Sequence, residues 1–348
     1  MDPEVLIRTQ GQVGRITLNR PEALHALTTA MCRQMIEALV LWRDDPSVVL
    51  VMIDHAGERG FCAGGDIRAL VDSLAEGGEA AEEFFFTEYQ LDHLIFSYPK
   101  PVLALMDGVV MGGGAGISLP ARFRVATERT RFAMPETGIG LFPDVGACWR
   151  LVRMPDHAGA WLALTGARIG PADCELLGVV TDFVEAARLE TFKAAVIAEP
   201  ARVEALLTEY EAEAGRPAFA AHQDAIGRLF AASSLEALVA GLEDDGSEWV
   251  LEQRRIILSK SPLSSAVAFR QLKAAAEIEN FTQLMEMEYR IAHRLIRQPD
   301  FAEGVRAAIL DKDQAPRWSP PTLAQVTPAM LDAIFAPLPP EQSWAPLP

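Results

Sequence analysis

Two glycine-rich turns and one acidic segment are the parts of this sequence whose residue types could do chemistry. The first turn, CAGGD at residues 62–66, contains Ala63, Gly64, Gly65 and Asp66. The second, MGGGAG at residues 111–116, contains Gly112, Gly113, Gly114 and Gly116. Glycines let backbone N–H groups come close to a ligand, and a helix starting after each turn adds partial positive charge. Two such N–H groups converging on one point make an oxyanion hole, which stabilises charge on a carbonyl oxygen during acyl transfer. Either turn alone is better read as a tight turn. The pair, followed by the acidic segment AMPETGIGLFPD at residues 133–144, points to a site. There Glu136 and Asp144 stand among apolar residues, glycines and prolines. Burying a carboxylate in such surroundings raises its pKa towards neutrality, and carboxyls so perturbed are often catalytic. Ordinary turn and cap acids are the competing reading.

These turns need elements to hold them. Residues 5–10 and 14–18 read as strands joined by a turn, and Thr28 as the N-cap of a helix to about Trp42. The apolar stripe of that helix is Cys32, Met35, Ile36, Leu39 and Val40. Residues 48–53 and 102–106 read as strands buried on both faces. Residues 60–66 read as a turn, 67–74 and 82–96 as helices, and 123–126 and 131–133 as paired short strands. The first half thus repeats a unit of strand, strand, helix. After about Val145 helical patterns dominate: 158–165, 171–177, 186–198, 201–214, 222–230, 234–241, 247–258, 264–276 and 280–296. Residues 215–217 are a candidate hinge, and the proline-rich tail from Pro316, with one helix at 328–335, is expected to wrap a surface.

Composition removes several function classes. The chain of 348 residues carries 48 acidic against 31 basic residues, net −17. This disfavours nucleic acid and anionic membranes, which need clustered Lys and Arg. An anionic ligand must then be held by a few local cations or N–H groups. Residues 101–120 are apolar but contain Asp107 and a glycine run, so a strand, turn and helix start fit better than a membrane span. Cys32, Cys62, Cys148 and Cys174 show no zinc spacing and read as buried hydrophobes in a reducing compartment. The N-terminus shows no secretory signal, so a cytoplasmic location is expected. The six histidines show no metal spacing, and GxxxxGK[ST], GxGxxG and GxSxG are absent.

The residues also carry a resemblance. ITLNRPEALHALT (16–28), AGGD (63–66), the GGG turn and MPET (134–137) resemble the crotonase, or enoyl-CoA hydratase/isomerase, superfamily. FFFTEY (84–89), MGGGAG, MPETGIGLFPDVG (134–146) and DFAEGVRAAILDKDQAPRW (300–318) resemble its 3-hydroxyisobutyryl-CoA hydrolase branch. The resemblance implies an α/β fold, a ClpP-like crotonase spiral of ββα units over residues 1–200, then a helical region over residues 201–348. It implies that the N–H groups of Ala63 and Gly113 form the oxyanion hole, and that Ala63, Gly64, Gly65 and Asp66 line the coenzyme A site. It makes Glu136 the principal catalytic carboxylate, gives Asp144 the substrate's 3-hydroxyl, and sets Glu88 in the acyl pocket. Hydratases carry a glutamate where this chain has Gly116, so two-carboxylate hydration is impaired here. A single carboxylate beside an oxyanion hole suits acyl transfer to water, by direct attack or by activating water. His25 stands where asparagine is common, and a local packing change is expected.

The expected activity is hydrolysis of a short 3-hydroxyacyl-CoA, foremost 3-hydroxyisobutyryl-CoA as in valine breakdown. The resemblance implies no metal or redox cofactor, coenzyme A being part of the substrate, and a trimer or hexamer. The alternatives are an enoyl-CoA hydratase or isomerase, another acyl-CoA chemistry such as decarboxylation, and a non-catalytic acyl-CoA binding protein. Retention of Glu136 and both glycine turns counts against the last.

Overall fold

A computed structural model of the protein describes residues 3–57 and 59–347. Met1 and Asp2, at the head of the stretch expected to carry no secretory signal, lie outside the described residues, as do Glu58 and Pro348, the end of the tail. In chain order the strands are β1 (Val5–Gln10), β2 (Val13–Leu18), β3 (Leu50–His55), β4 (Gly60–Cys62), β5 (Val102–Met106), β6 (Val109–Met111), β7 (Phe123–Ala126), β8 (Arg131–Ala133) and β9 (Asp182–Phe183). They form a larger sheet in the order β1-β2-β3-β5-β7-β9 and a smaller one in the order β4-β6-β8. β1 and β2 pair antiparallel, with Val5 opposite Leu18; every later pairing is parallel. β3 and β5 are buried at every residue, as expected of apolar runs covered on both faces.

The first unit keeps both strands, β1 and β2, in the larger sheet; each of the next three sends its first strand to the larger sheet and its second to the smaller. This is the spiral of ββα units expected from the sequence, but two local readings are corrected. β4 was hidden inside the stretch read as a turn, because three residues are too few to show a period. β7 and β8 fall at the expected residues yet do not pair with each other. β7 lies between β5 and β9, and β8 pairs with β6, because the tight turn closed by Thr130 N–H to the Thr127 carbonyl (3.0 Å) redirects the chain from one sheet to the other.

Helix α1 (Thr29–Arg43) begins at Thr28, whose hydroxyl accepts from Met31 N–H at 3.2 Å, an ordinary N-cap. Its buried face is Met31, Cys32, Met35, Ala38, Leu39 and Trp42; Ile36 is only half-buried and Val40 is exposed. The expected stripe is rotated because the Trp42 ring packs onto Gly14, where a Cβ would come within 2.5 Å of it. Helices α2 (Ile67–Ala75) and α3 (Glu79–Phe96) follow β4, and the single turn α4 (Gly113–Gly116) follows β6.

The helical region after residue 200 shares the core of the spiral: one hydrophobic cluster contains Leu18, Phe85 and Phe142 together with Leu263, Met285 and Phe301. Helix Phe281–Leu295 packs on α3 through Tyr289, whose ring meets Phe86 and Tyr89 edge-on. The tail wraps α3 as expected: Trp344 is buried and its indole N–H donates to the Phe86 carbonyl at 3.2 Å. Residues 215–217 lie in an irregular stretch between helices Val203–Tyr210 and Gln223–Leu229.

One contact fixes the acidic turn. Helix Pro299–Val305 lies backbone to backbone against the 3-10 turn Glu136–Ile139. A Cβ at Gly304 would stand 2.5 Å from the Ile139 carbonyl carbon, and one at Gly140, at φ 76°, would collide with the Asp300 carbonyl. Gly304→Ala should therefore push the helix off the turn that carries Glu136. A loss of about 1–3 kcal/mol in urea denaturation is expected, the usual cost of overpacking.

Candidate active site

β4 and β6 are parallel neighbours, so they deliver the two glycine-rich turns side by side. A Cβ on Gly112 would stand 3.3 Å from the Cα of Gly64, which is why glycines occupy this contact. Below the turns lies a cavity of about 530 Å³, lined by Gly64, Gly65, Glu88, Gly113, Glu136 and Asp144 among others. With Ala63, which also lines it, the structure gathers seven of the eight site residues expected from sequence into one space.

Two expected residues have other duties. The Ala63 N–H donates to the Leu24 carbonyl at 3.0 Å, so it is not free to hold an oxyanion. Leu27 bridges the next stretch: its N–H donates to the Gly64 carbonyl, and its carbonyl accepts from Asp66 N–H. Gly65, between them, turns its N–H away from Leu27, and among the described residues that N–H meets no acceptor. The Gly113 N–H, at the start of α4, likewise meets none, whereas Ala115 and Gly116 both donate to the Gly112 carbonyl. The pair of N–H groups available to a carbonyl oxygen is therefore Gly65 and Gly113, which corrects the assignment of Ala63. Asp66 is absent from the cavity lining. It caps α2, accepting from Ala69 N–H at 3.4 Å, and pairs with Arg20 at 2.7 Å.

The carboxyls arrive from three elements. Glu88 and Asp92 lie one turn apart on α3, Glu136 opens the 3-10 turn, and Asp144 ends the segment after it. A further acid, Glu288, comes from helix Phe281–Leu295. All five are buried, none more than 5% exposed. Glu136 Oε2, Glu88 Oε1 and both Asp92 oxygens have no hydrogen-bond partner among the described residues. Burial pushes the Glu136 carboxyl well above the ordinary range, and the Asp144 charge adds to this while Lys260 opposes it. Burial, then Asp144 and Glu136, raise Glu88. Burial and then Glu88 raise Asp92. Asp144 is raised to about 7 by burial, against the Tyr89 hydroxyl, which donates to its Oδ2 at 2.7 Å. Glu288, raised by burial, accepts from Gly146 N–H at 2.7 Å and from the Gln271 amide at 3.0 Å. Like charges this close cannot all ionise near neutrality. The cavity can therefore offer both an acceptor carboxylate and a proton-bearing carboxyl.

Sequence reasoning missed Tyr89, Asp92, Glu288 and Lys260. Tyr89 and Asp92 share the α3 face of Glu88, a signal that helical spacing could have supplied; nothing local marks Glu288 or Lys260. It also gave no site role to the segment after Asp300. Arg306 ties Glu303, Asp311 and Asp313 together at 2.7–2.8 Å, and this holds Ala308, Ile309 and Gln314 at the cavity wall. His25, where the resemblance has asparagine, packs inside the first turn. It is buried at φ 57°, its ring nitrogen accepts from Arg20 N–H at 3.0 Å, and burial and then His55 lower its pKa to about 4. Among the described residues no group of acids, histidines and cysteines is arranged to hold a metal ion. No helix among them is long and apolar enough to cross a membrane.

Residues 13–335 match the profile of the enoyl-CoA hydratase/isomerase family. The chain is 42% identical over 346 residues to a Xenopus tropicalis protein named 3-hydroxyisobutyryl-CoA hydrolase, mitochondrial, covering 97% of this chain and 90% of that one. It is 40% identical over 333 residues to the Homo sapiens protein of the same name, covering 93% and 86%. Among solved structures it matches a carnitinyl-CoA dehydratase from Mycobacterium thermoresistibile with TM-score 0.93 and 37% identity, covering 97% of this chain and 98% of that one. It matches an enoyl-CoA hydratase from Rhodobacter sphaeroides with TM-score 0.91 and 39% identity, covering 99% and 100%.

The buried acids dictate a pH dependence. Asp144 keeps its proton to about pH 7 when folded, but only to its ordinary value of 3.8 when unfolded. The native state then binds more protons across that window, so stability falls as pH rises through it. Glu88, Asp92, Glu136 and Glu288 shift the same way and continue the fall upward. His25, His93 and His293, lowered by burial, act the other way between about pH 4 and 6.5, but the five acids outnumber them, so urea midpoints should decline from about pH 4 to about pH 7, and Asp144→Asn should flatten part of that slope. A midpoint that rises over this range in the parent protein would contradict the assignment.

Proposed function

This chain belongs to the enoyl-CoA hydratase/isomerase family, the crotonases, and on that premise we propose that it hydrolyses the thioester of a short 3-hydroxyacyl-CoA. The foremost substrate is 3-hydroxyisobutyryl-CoA, giving 3-hydroxyisobutyrate and coenzyme A, the substrate in the names of the vertebrate relatives. In metabolism this reaction belongs to valine breakdown. One observation carries the reading: Glu136 and Asp144 share a cavity with the two unpartnered N–H groups of Gly65 and Gly113.

In this reading the thioester carbonyl oxygen accepts from Gly65 and Gly113, which stabilise the negative charge that develops on it. Glu136 as carboxylate supplies the electrons, by attacking the carbonyl carbon or by taking a proton from water. On the base route the water oxygen bonds to the carbonyl carbon. On either route the carbon–sulfur bond then breaks and the leaving thiolate receives a proton. On the attack route water afterwards cleaves the acyl–Glu136 anhydride to give the free acid and restore the carboxylate. Asp144, raised to about 7, suits the holding of that proton and of the substrate's 3-hydroxyl, with Tyr89 fixing its orientation. Glu88 lines the acyl end. Water is the second reactant, and no step calls for a metal or a redox cofactor.

The solved relatives named as a dehydratase and a hydratase favour a second reading, water addition across a double bond. Gly116 weighs against it, since the position offers no second carboxylate.

A two-channel assay separates the readings. One channel follows thiol released from 3-hydroxyisobutyryl-CoA; the other follows loss of the conjugated double bond of methacrylyl-CoA. Thiol release with little hydration is expected, and the reverse pattern would sink the hydrolase reading. Glu136→Gln should cut thiol release by about 10²–10⁴-fold, the range for losing a general base, while coenzyme A binding by calorimetry persists. Asp144→Asn should harm 3-hydroxyacyl substrates more than acyl-CoAs lacking the hydroxyl; equal losses would remove Asp144 from hydroxyl binding.

A further inference from the structure

Glu136 shares its cavity with two other acids, Asp144 from its own segment and Glu88 from α3. Asp92 of α3 bears on both of those, and Glu288 of helix Phe281–Leu295 bears on Asp144. The charges of Asp144 and Glu88 oppose the ionisation of Glu136. Attack on a thioester, or removal of a proton from water, nevertheless needs the carboxylate. A nearby positive charge would resolve this conflict. Two cations line the cavity, Arg168 and Lys260. Arg168 is exposed at the rim, whereas Lys260 is half-buried.

Lys260 follows helix Glu248–Ser259 and reaches towards the turn of Glu136. Its Nζ lies 3.4 Å from the point where Gly138, two residues after Glu136, would carry a Cβ. The next residue ties the two segments together, Ser261 N–H donating to the Thr137 carbonyl at 3.1 Å. Ser261 is itself held by Asp300, to which its hydroxyl donates at 2.5 Å. Among the described residues the Lys260 ammonium has no ion pair within 4.0 Å and no carbonyl acceptor, so its charge is not committed elsewhere. Glu136 Oε2 is likewise unpartnered.

We infer that Lys260 is a positioning residue for the reaction, its ammonium facing the Glu136 turn so that Glu136 reaches the charged form the chemistry uses more readily than burial beside other acids would allow. The influence is mutual: Glu136 favours the charge on Lys260 against burial, and Lys260 favours the charge on Glu136 against burial and Asp144. A Cβ at 138 would touch Nζ at van der Waals distance, which places the ammonium directly over the Glu136 turn. The chemical role assigned to Glu136 rests on the hydrolase reading; the charge relationship does not.

The test uses the full chain and three variants, Lys260→Met, Lys260→Arg and Glu136→Gln. An infrared pH titration follows the protonated carboxyl C=O bands, and the band lost in Glu136→Gln identifies Glu136. In Lys260→Met its midpoint should move up by about one pH unit or more, as expected for losing a unit charge a few ångströms away. Lys260→Arg should keep the midpoint near the parent value. In thiol-release kinetics the acid limb of kcat should move up with it. Below the limb, Lys260→Met then loses about tenfold in rate for every pH unit by which the limb has moved, and recovers as pH rises. A purely structural role would lower activity evenly across pH with the midpoint unmoved, and that result would overturn the inference. So would a KM increase seen with coenzyme A thioesters but not with pantetheine thioesters, again with an unmoved midpoint, which would assign the ammonium to a phosphate. If no thioester were hydrolysed while the midpoint still moved, the charge relationship would stand and the hydrolase reading alone would fall.

Discussion

The site depends on a carboxyl that must be both buried and able to ionise. Burial makes a carboxylate stripped of water a stronger base, and it also opposes the charge that makes it a base at all; Glu136 is buried under both effects. Four more buried acids sharpen the conflict: Glu88, Asp92, Asp144 and Glu288. Two of these have partial compensation. Tyr89 donates to Asp144, and Gly146 N–H and Gln271 donate to Glu288. Glu136 and Asp92 keep unpartnered oxygens, with Lys260 the half-buried cation nearest the catalytic turn. Unpartnered buried polar groups destabilise a fold, so here stability is set against a prepared reaction site, as is common at functional positions.

Two close backbone approaches hold that site. Gly64 and Gly112 let β4 and β6 bring their turns into contact, which gathers the N–H groups of Gly65 and Gly113 over one cavity. Gly140 and Gly304 let helix Pro299–Val305 lie directly on the Glu136 turn. The region after residue 200 is therefore part of what builds the cavity. It seats Glu136, brings Lys260 towards the turn, and through Arg306 and its three acids places Ile309 and Gln314 in the cavity wall.

Much of this was legible in the sequence, and the rest was hidden for definable reasons. Long elements announce themselves by period: α3, β5 and the helices Ala158–Thr165 and Ala186–Ala198 fall close to or on their expected bounds. β4 and β6 have three residues each and show no period. The separation of β7 from β8 depends on partners far away in sequence, so local pattern could only mark both as strands. In the cavity, residue type and motif located both glycine turns and both acids of the 133–144 segment. They could not say which way an N–H points. The Leu24 and Leu27 contacts, which engage Ala63, Gly64 and Asp66 and leave Gly65 free, exist only in three dimensions. Lys260 and Glu288 enter by tertiary packing alone, and nothing in their neighbourhoods distinguishes them from surface residues of amphipathic helices.

Gly116 shows how far one position can be understood from its neighbours. In the sequence it stands out as a missing glutamate, an absence that separates hydrolysis from two-carboxylate hydration. In the structure it is a position with no room. A Cβ there would come within 2.6 Å of Asp92 Oδ1 and 2.8 Å of its carboxyl carbon, and one turn earlier a Cβ on Gly113 would collide with Glu88. The acids of α3 thus fill the face of α4 from which a second glutamate would have to project. Restoring a glutamate at 116 alone would force two carboxyls into one buried volume, with both a steric and an electrostatic cost. The change from glycine would have to be accompanied by removal of the Asp92 carboxyl. The preference for a single carboxylate is therefore built into the packing of two helices, and cannot be read at position 116 by itself.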